Sequence, residues 1–200
     1  MEVSTILHLP ISSVAGIRVV ELTIRDEAEL QQLFEDSPGY FLAVNGEPAR
    51  PLEAREELSF QLPDDWPHTR MYWLGYRDTE GVLVAVVNVA SDLLATGVWH
   101  IGLLLVATSL HGTGLANRLH ADLQDWAMNL GARWLRLTVV EGNTKAERFW
   151  PKLGYVSVRA REGIKMGRQV NRVFIQVKPL DGADIEGYLC LVSRDRPDAP

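Results

Sequence analysis

Residues 99–130 read WHIGLLLVATSLHGTGLANRLHADLQDWAMNL, and this stretch decides the architecture. It opens as a buried apolar run over 101–107. It then crosses a turn, His111-Gly112-Thr113-Gly114-Leu115-Ala116. Beyond the turn Leu115, Leu119, Leu123, Trp126, Ala127 and Leu130 recur at the spacing of one helical face. The order is strand, glycine turn, helix start. Such an order points several backbone N–H groups at one spot, where the helix dipole also favours negative charge. Glycines let a ligand approach the backbone with no Cβ in the way. The turn is therefore one of two things. It is an anion site of the kind that takes a cofactor pyrophosphate, or it is a connection that needs glycine for its shape alone.

The elements on either side extend the pattern. Gly131 is a natural stop for the helix, predicted over 113–130. WLRLTVV at 134–140 is a β-branched fifth strand, parallel to the fourth (97–107) through a right-handed crossover. Upstream, 71–76 and 82–90 form an antiparallel hairpin around Thr79-Glu80-Gly81. IRVVELTI at 17–24 is the first strand, after a weakly patterned lead-in over 1–16. Asp26 caps a helix over about 26–36, which Ser37-Pro38-Gly39 breaks. Tyr40 to Val44 is apolar and aromatic, with a turn at Asn45-Gly46 and Pro48. An acidic helix follows over 52–60, with Pro51 at its start, and LPDDWP at 62–67 is loop. Downstream, 144–149 is a short helix cut by Pro151. The last two strands are 155–159 and 172–178, joined by a Gly/Lys/Arg loop. Residues 187–192 read as a further edge strand and 193–200 as a disordered tail.

The chain has 200 residues, which suits one domain. Its net charge of −6 lacks the basic footprint of a nucleic-acid binder, so no nucleic-acid partner is expected. The single cysteine, Cys190, excludes an intramolecular disulfide and a cysteine zinc site, and a reducing cytoplasmic setting fits. The first ten residues carry Glu2 and no Lys or Arg, unlike a signal peptide. No apolar run approaches the ~20 residues a spanning helix needs, so no membrane partner is expected.

Two blocks together resemble the GNAT superfamily of N-acetyltransferases. His111-Gly112-Thr113-Gly114-Leu115-Ala116 resembles the family's Q/R-x-x-G-x-G/A motif, and it follows an apolar strand ending at Val106. Downstream come Asn143-Thr144-Lys145-Ala146, Phe149-Trp150 and Leu153-Gly154-Tyr155, which resemble its N-x-x-A-x-x-x-Y-x-x-x-G-F block. The rivals for the glycine turn lack their own signatures. Asn117 stands where a dinucleotide motif needs its third glycine, and no P-loop, H-E-x-x-H or G-x-S-x-G is present.

The resemblance implies an α/β (mixed α+β) fold, with a central, mostly antiparallel sheet of about seven strands flanked by helices and splayed between strands four and five. It implies a single acetyltransferase domain over 1–192, with a variable acceptor-side region at 17–68 and a cofactor-binding core at 69–178. It implies acetyl-CoA as co-substrate, with no metal. The pyrophosphate would lie on the backbone of Gly112, Thr113, Gly114, Leu115 and Ala116, beside His111. The pantetheine would lie near Leu104 and Val106 like an extra strand, with Asn143 bonding to it.

Transfer to an amine needs a proton acceptor. Counting back from Val106 with period 2 puts His100 on one face with Gly102 and Leu104 and makes it the first candidate base, with Glu141 the second. Trp150 falls where the family has a tyrosine able to protonate the leaving thiolate. An indole N–H is a poor acid, so Trp150 is expected to pack on the sulfur end of the cofactor. That departure motivates an alternative reading, a catalytically silent acyl-CoA-binding protein. The expected acceptor is a primary amine of a small molecule or a protein. The acids over 53–65, with Tyr40, Phe41, Trp66 and Trp73, suit a cationic or aromatic one. An edge strand at 187–192 could pair across a homodimer or equally fold back on its own sheet, which leaves the oligomeric state open.

Overall fold

In the computed structural model, which describes residues 9–199, the quoted stretch forms the centre of a seven-stranded sheet. Strand β1 is Arg18–Glu21, β2 Arg70–Arg77, β3 Leu83–Ser91, β4 Val98–Val106, β5 Trp134–Val140, β6 Val156–Met166 and β7 Gln169–Pro179. Their order across the sheet is β1-β2-β3-β4-β5-β7-β6. Every pair is antiparallel except β4 with β5. That pair runs from Val98 opposite Trp134 to Ile101 opposite Leu137 and stops. Both strands continue, so the sheet opens between them.

Helix α4, Leu115–Asn129, crosses between the two strands, and α5 is Thr144–Lys152. They cover one face, where Leu119 and Leu123 are fully buried against Trp99, Ile101, Leu135 and Leu137. Burying such a leucine contributes about 1.5–3 kcal/mol. The opposite face carries α1, Glu27–Glu35, α2, Pro38–Asn45, and α3, Glu53–Ser59, packed over Trp73, Val86 and Leu105. Beside them α6, Ile185–Leu191, seats Tyr188 and the following Val192 against Val98, Trp134 and Ile175.

Four sequence expectations change. Residues 187–191 belong to α6 rather than to an edge strand, because Asp184 caps a helix by accepting from the Gly187 amide. A dimer joined through that strand edge is thereby removed. The expected disordered tail instead turns back onto the sheet and buries Asp195 completely, its final residue lying outside the described range. Helix α5 runs through Pro151 to Lys152. The loop expected between the last two strands is mostly strand, turning tightly at Gly167-Arg168. The first eight residues of the lead-in lie outside the described residues. Among the described residues, no helix is long and apolar enough to cross a membrane.

Candidate active site

The site starts from a count that fails. Ile101 and Leu104 both pack on the α4 face, whereas Leu103 and Leu105 pack on the α1 face. Strict alternation cannot place residues three apart on one face. The cause is a β-bulge: Asn88 pairs with Leu103 and Val89 with Ile101, so Gly102 has no partner on β3. The bulge lies just past the last β4–β5 pair. Gly102 and Thr138 are exposed although both belong to central strands. They mark an open slot. Glycine at the bulge also leaves room for Asn88, since a Cβ there would sit 2.5 Å from its Oδ1.

On the far side of the slot, Leu104 and Val106 continue β4 beyond its pairing with β5. The glycine turn follows. Gly112 and Gly114 each have φ of +80°, a conformation side chains resist, and a Cβ on either would meet nothing within 4 Å. Helix α4 begins at Gly114 with no side-chain cap. The Thr113 amide turns back to the Leu110 carbonyl (3.4 Å) and the Leu115 amide to Thr113 Oγ1 (3.3 Å). Among the described residues, the amides of Gly112, Gly114 and Ala116 have no such partner. An uncapped helix start with free amides favours negative charge.

His111 anchors this turn. Its Nε2 donates to the Val106 carbonyl (2.9 Å), and Nδ1 accepts from Lys145 Nζ at 3.4 Å. Lys145 thereby adds a cation that the sequence reading overlooked. Asn143 caps α5, its Oδ1 accepting from the Ala146 amide at 3.3 Å. Trp150 is buried in a ring cluster with Phe149, His120 and Tyr155.

His100 sits before the bulge, and so lies on the face opposite Leu104, not with it. Its Nδ1 accepts from Arg136 Nη1 at 3.1 Å, which leaves the proton of the neutral ring on Nε2. Burial, then the Arg136 charge, lowers its pKa to about 3. A ring so placed has no free lone pair for a proton. It is placed as a hydrogen-bond donor through Nε2. Glu141 stands at the slot's outer end, ion-paired with Arg172 at 3.1 Å. Glu57 is accessible but closely surrounded. Desolvation, then the charge of Glu53, pushes its carboxyl up to about 7. Glu53 and Glu56 are both engaged by Arg50, so the acidic stretch is partly neutralised within itself.

Beside His100 lies a network that local reading misses. Asp195 accepts from Arg136 Nε (2.7 Å), Arg136 Nη2 (3.3 Å) and the Tyr188 hydroxyl (2.5 Å). Trp66 stacks near Arg136 and Arg194, at 5.9 Å and 4.2 Å from ring centroid to guanidinium carbon. The first partner contact spans 59 residues of sequence, beyond the reach of any motif.

These features coincide with a known family. The model of the acetyltransferase (GNAT) family matches residues 24–155, most of the chain, and the protein belongs to that family. A search of curated proteins returns no match. Among solved structures, an acetyltransferase from Thermus thermophilus superposes with a TM-score of 0.64 at 22% identity, covering 85% of this chain and 100% of its own. Spermidine N-acetyltransferase from Vibrio cholerae, in complex with CoA and spermine, gives 0.63 at 16% identity over 83% of this chain and 96% of its own. The Escherichia coli ribosomal-protein-S18-alanine N-acetyltransferase gives 0.59 at 14% identity over 84% and 97%. At these identities the likeness establishes the fold alone.

Proposed function

We propose that this protein transfers the acetyl group of acetyl-CoA to a primary amine by direct attack in a ternary complex. The observation that carries the reading is the slot between β4 and β5, which opens beside an uncapped helix start. The amides of Gly112, Gly114 and Ala116, with Lys145, would hold the pyrophosphate. The β4 edge at Leu104 and Val106 would pair with the pantetheine, and the side-chain amide of Asn143 would donate to it. The bulge at Gly102 supplies an unpaired backbone group where negative charge develops on the thioester carbonyl.

An ammonium must lose a proton before it attacks. Glu57 of α3, with its carboxyl lifted to about 7, is the candidate we assign to that step. His100, held near 3 and capped by Arg136, is matched instead to donating from Nε2. Trp150 packs the thiol end, and solvent returns the proton to the thiolate. The polyamine and protein acceptors named for the structural neighbours bracket the acceptor class, a small molecule or a protein amine. A cytoplasmic setting belongs to the same reading and rests on Cys190, which is free and exposed.

The direct test is thermal unfolding with acetyl-CoA, CoA and ATP in parallel. A ligand at ~100 times its Kd adds roughly 2.7 kcal/mol. A rise in Tm with both CoA species and none with ATP supports the reading; no rise with either CoA species overturns it.

A further inference from the structure

The acceptor side of the slot carries more positive charge than its one buried carboxylate can balance. Arg161 reaches back from β6 until its Nη2 lies 3.5 Å from Asp195, the carboxylate that Arg136 already holds. Its Nη2 also donates to the Arg194 carbonyl at 2.8 Å, but its Nε is buried with no partner. Arg194 sits over the Trp66 ring and, among the described residues, forms no ion pair. Arg159 is engaged with the carbonyls of Arg194, Arg196 and Ala199. Arg136 and Arg161 therefore share the single carboxylate of Asp195, with the Arg194 guanidinium close by on Trp66. Burial lowers the proton affinity of Arg161, Asp195 raises it in part, and the charges of Arg159, Arg194 and Arg136 lower it further, so like charge adds to the cost of burial. An incoming anion would relieve it, and guanidinium forks match a carboxylate.

This charge lies next to the chemistry and next to a groove. Arg136 touches His100, one residue before the end of the β4–β5 pairing. Trp66, the wall shared by Arg136 and Arg194, also lines a groove of about 500 Å3 with Phe60, Met71, His68 and Asp64. We propose that the acceptor is an amino carboxylate, an amino acid or close analogue with an apolar or aromatic side chain. Its carboxylate is held by Arg161 and Arg194 against Trp66, and its side chain lies in the groove. This rests on the acetyl-transfer reading and replaces the cationic acceptor expected from the acidic stretch. In the step, the amine lone pair forms a C–N bond to the acetyl carbon, and the C–S bond breaks with its pair on sulfur. The amine proton ends on the thiolate, and nothing is oxidised.

The test compares L-phenylalanine with L-phenylalaninamide, and L-methionine with L-methioninamide, following thiol release from acetyl-CoA. The acids are expected to exceed the amides by ten-fold or more in kcat/KM. In Arg194→Gln that preference falls below three-fold, and Arg194→Lys restores part of it. CoA affinity, measured on each variant, reports the integrity of the fold and of the cofactor site. Amides that equal or exceed the acids, or a preference that survives Arg194→Gln, overturn the proposal. If no pair turns over, calorimetry on the CoA-saturated protein decides. Binding of the acids that is lost in Arg194→Gln supports the subsite, and absence of binding overturns it. Loss of acetyl-CoA binding itself strikes the acetyl-transfer reading instead.

Discussion

His120 faces the core from the middle of α4, and its Nε2 is hydrogen-bonded to the Tyr155 hydroxyl at 2.9 Å. Burial lowers its pKa to about 4, and His100 is lowered to about 3. An unfolded histidine titrates near ~6.5. Between that value and 4 the unfolded chain therefore binds more protons than the native one, so both histidines favour folding above ~6.5 and lose that contribution as pH falls. Glu57 has the opposite sign. Raised to about 7, it binds its proton first in the native state and favours folding as pH drops through 7. Asp195, lowered by its arginines, loses its contribution only below the ordinary carboxylate range. Urea midpoints at pH 7 and pH 5 separate these terms. His120→Asn is expected to flatten the loss at pH 5 and Glu57→Gln to deepen it. Identical slopes in all three proteins would show that neither group is perturbed.

At the scale of elements, His111 and Lys145 join the N-terminus of α4 to the N-terminus of α5, which on the proposed reading makes one anion site. A single charge-assisted contact contributes about 1.5 kcal/mol or more. Lys145→Ala is therefore expected to weaken CoA about ten-fold while leaving acetyl-pantetheine, which lacks the pyrophosphate, unchanged. Equal losses for both ligands would mean that Lys145 supports the fold rather than the phosphate. The glycine turn and the strand before it were legible in sequence because both are local patterns. Trp134–Val140 was read to the residue for the same reason. The phase of β4 was not legible, since one unpaired residue at Gly102 resets an alternation that looks continuous. Nor was α6: a short apolar run such as GYLCLV fits strand and helix alike, and only the Asp184 cap decides it.

The whole molecule explains what sequence patterns could not. The proposed acceptor face draws on the 62–67 loop, β5, β6 and the last residues of the chain, with Arg136 and Arg161 meeting at Asp195 and Trp66 set against Arg136 and Arg194. A polar, proline-containing terminus reads as a tail because its partners lie elsewhere in the sequence. Local composition carries no trace of Arg136 or Tyr188. The difference is measurable. Removal of an exposed tail changes stability by ~0.5 kcal/mol or less. Ending the chain after Leu191 removes buried Val192 and Asp195 and leaves Arg136, 3% exposed at its side chain, without its anion. A buried charge stripped of its partner costs about 3–5 kcal/mol. Urea unfolding of the shortened chain should show a loss of that size, and Asp195→Ala alone should show most of it. The combined replacement Arg136→Met with Asp195→Leu removes both charges together and is expected to recover much of the loss. A shortened chain as stable as the parent would mean that Arg136 is solvated from the slot, and that the terminus is no wall of the acceptor site.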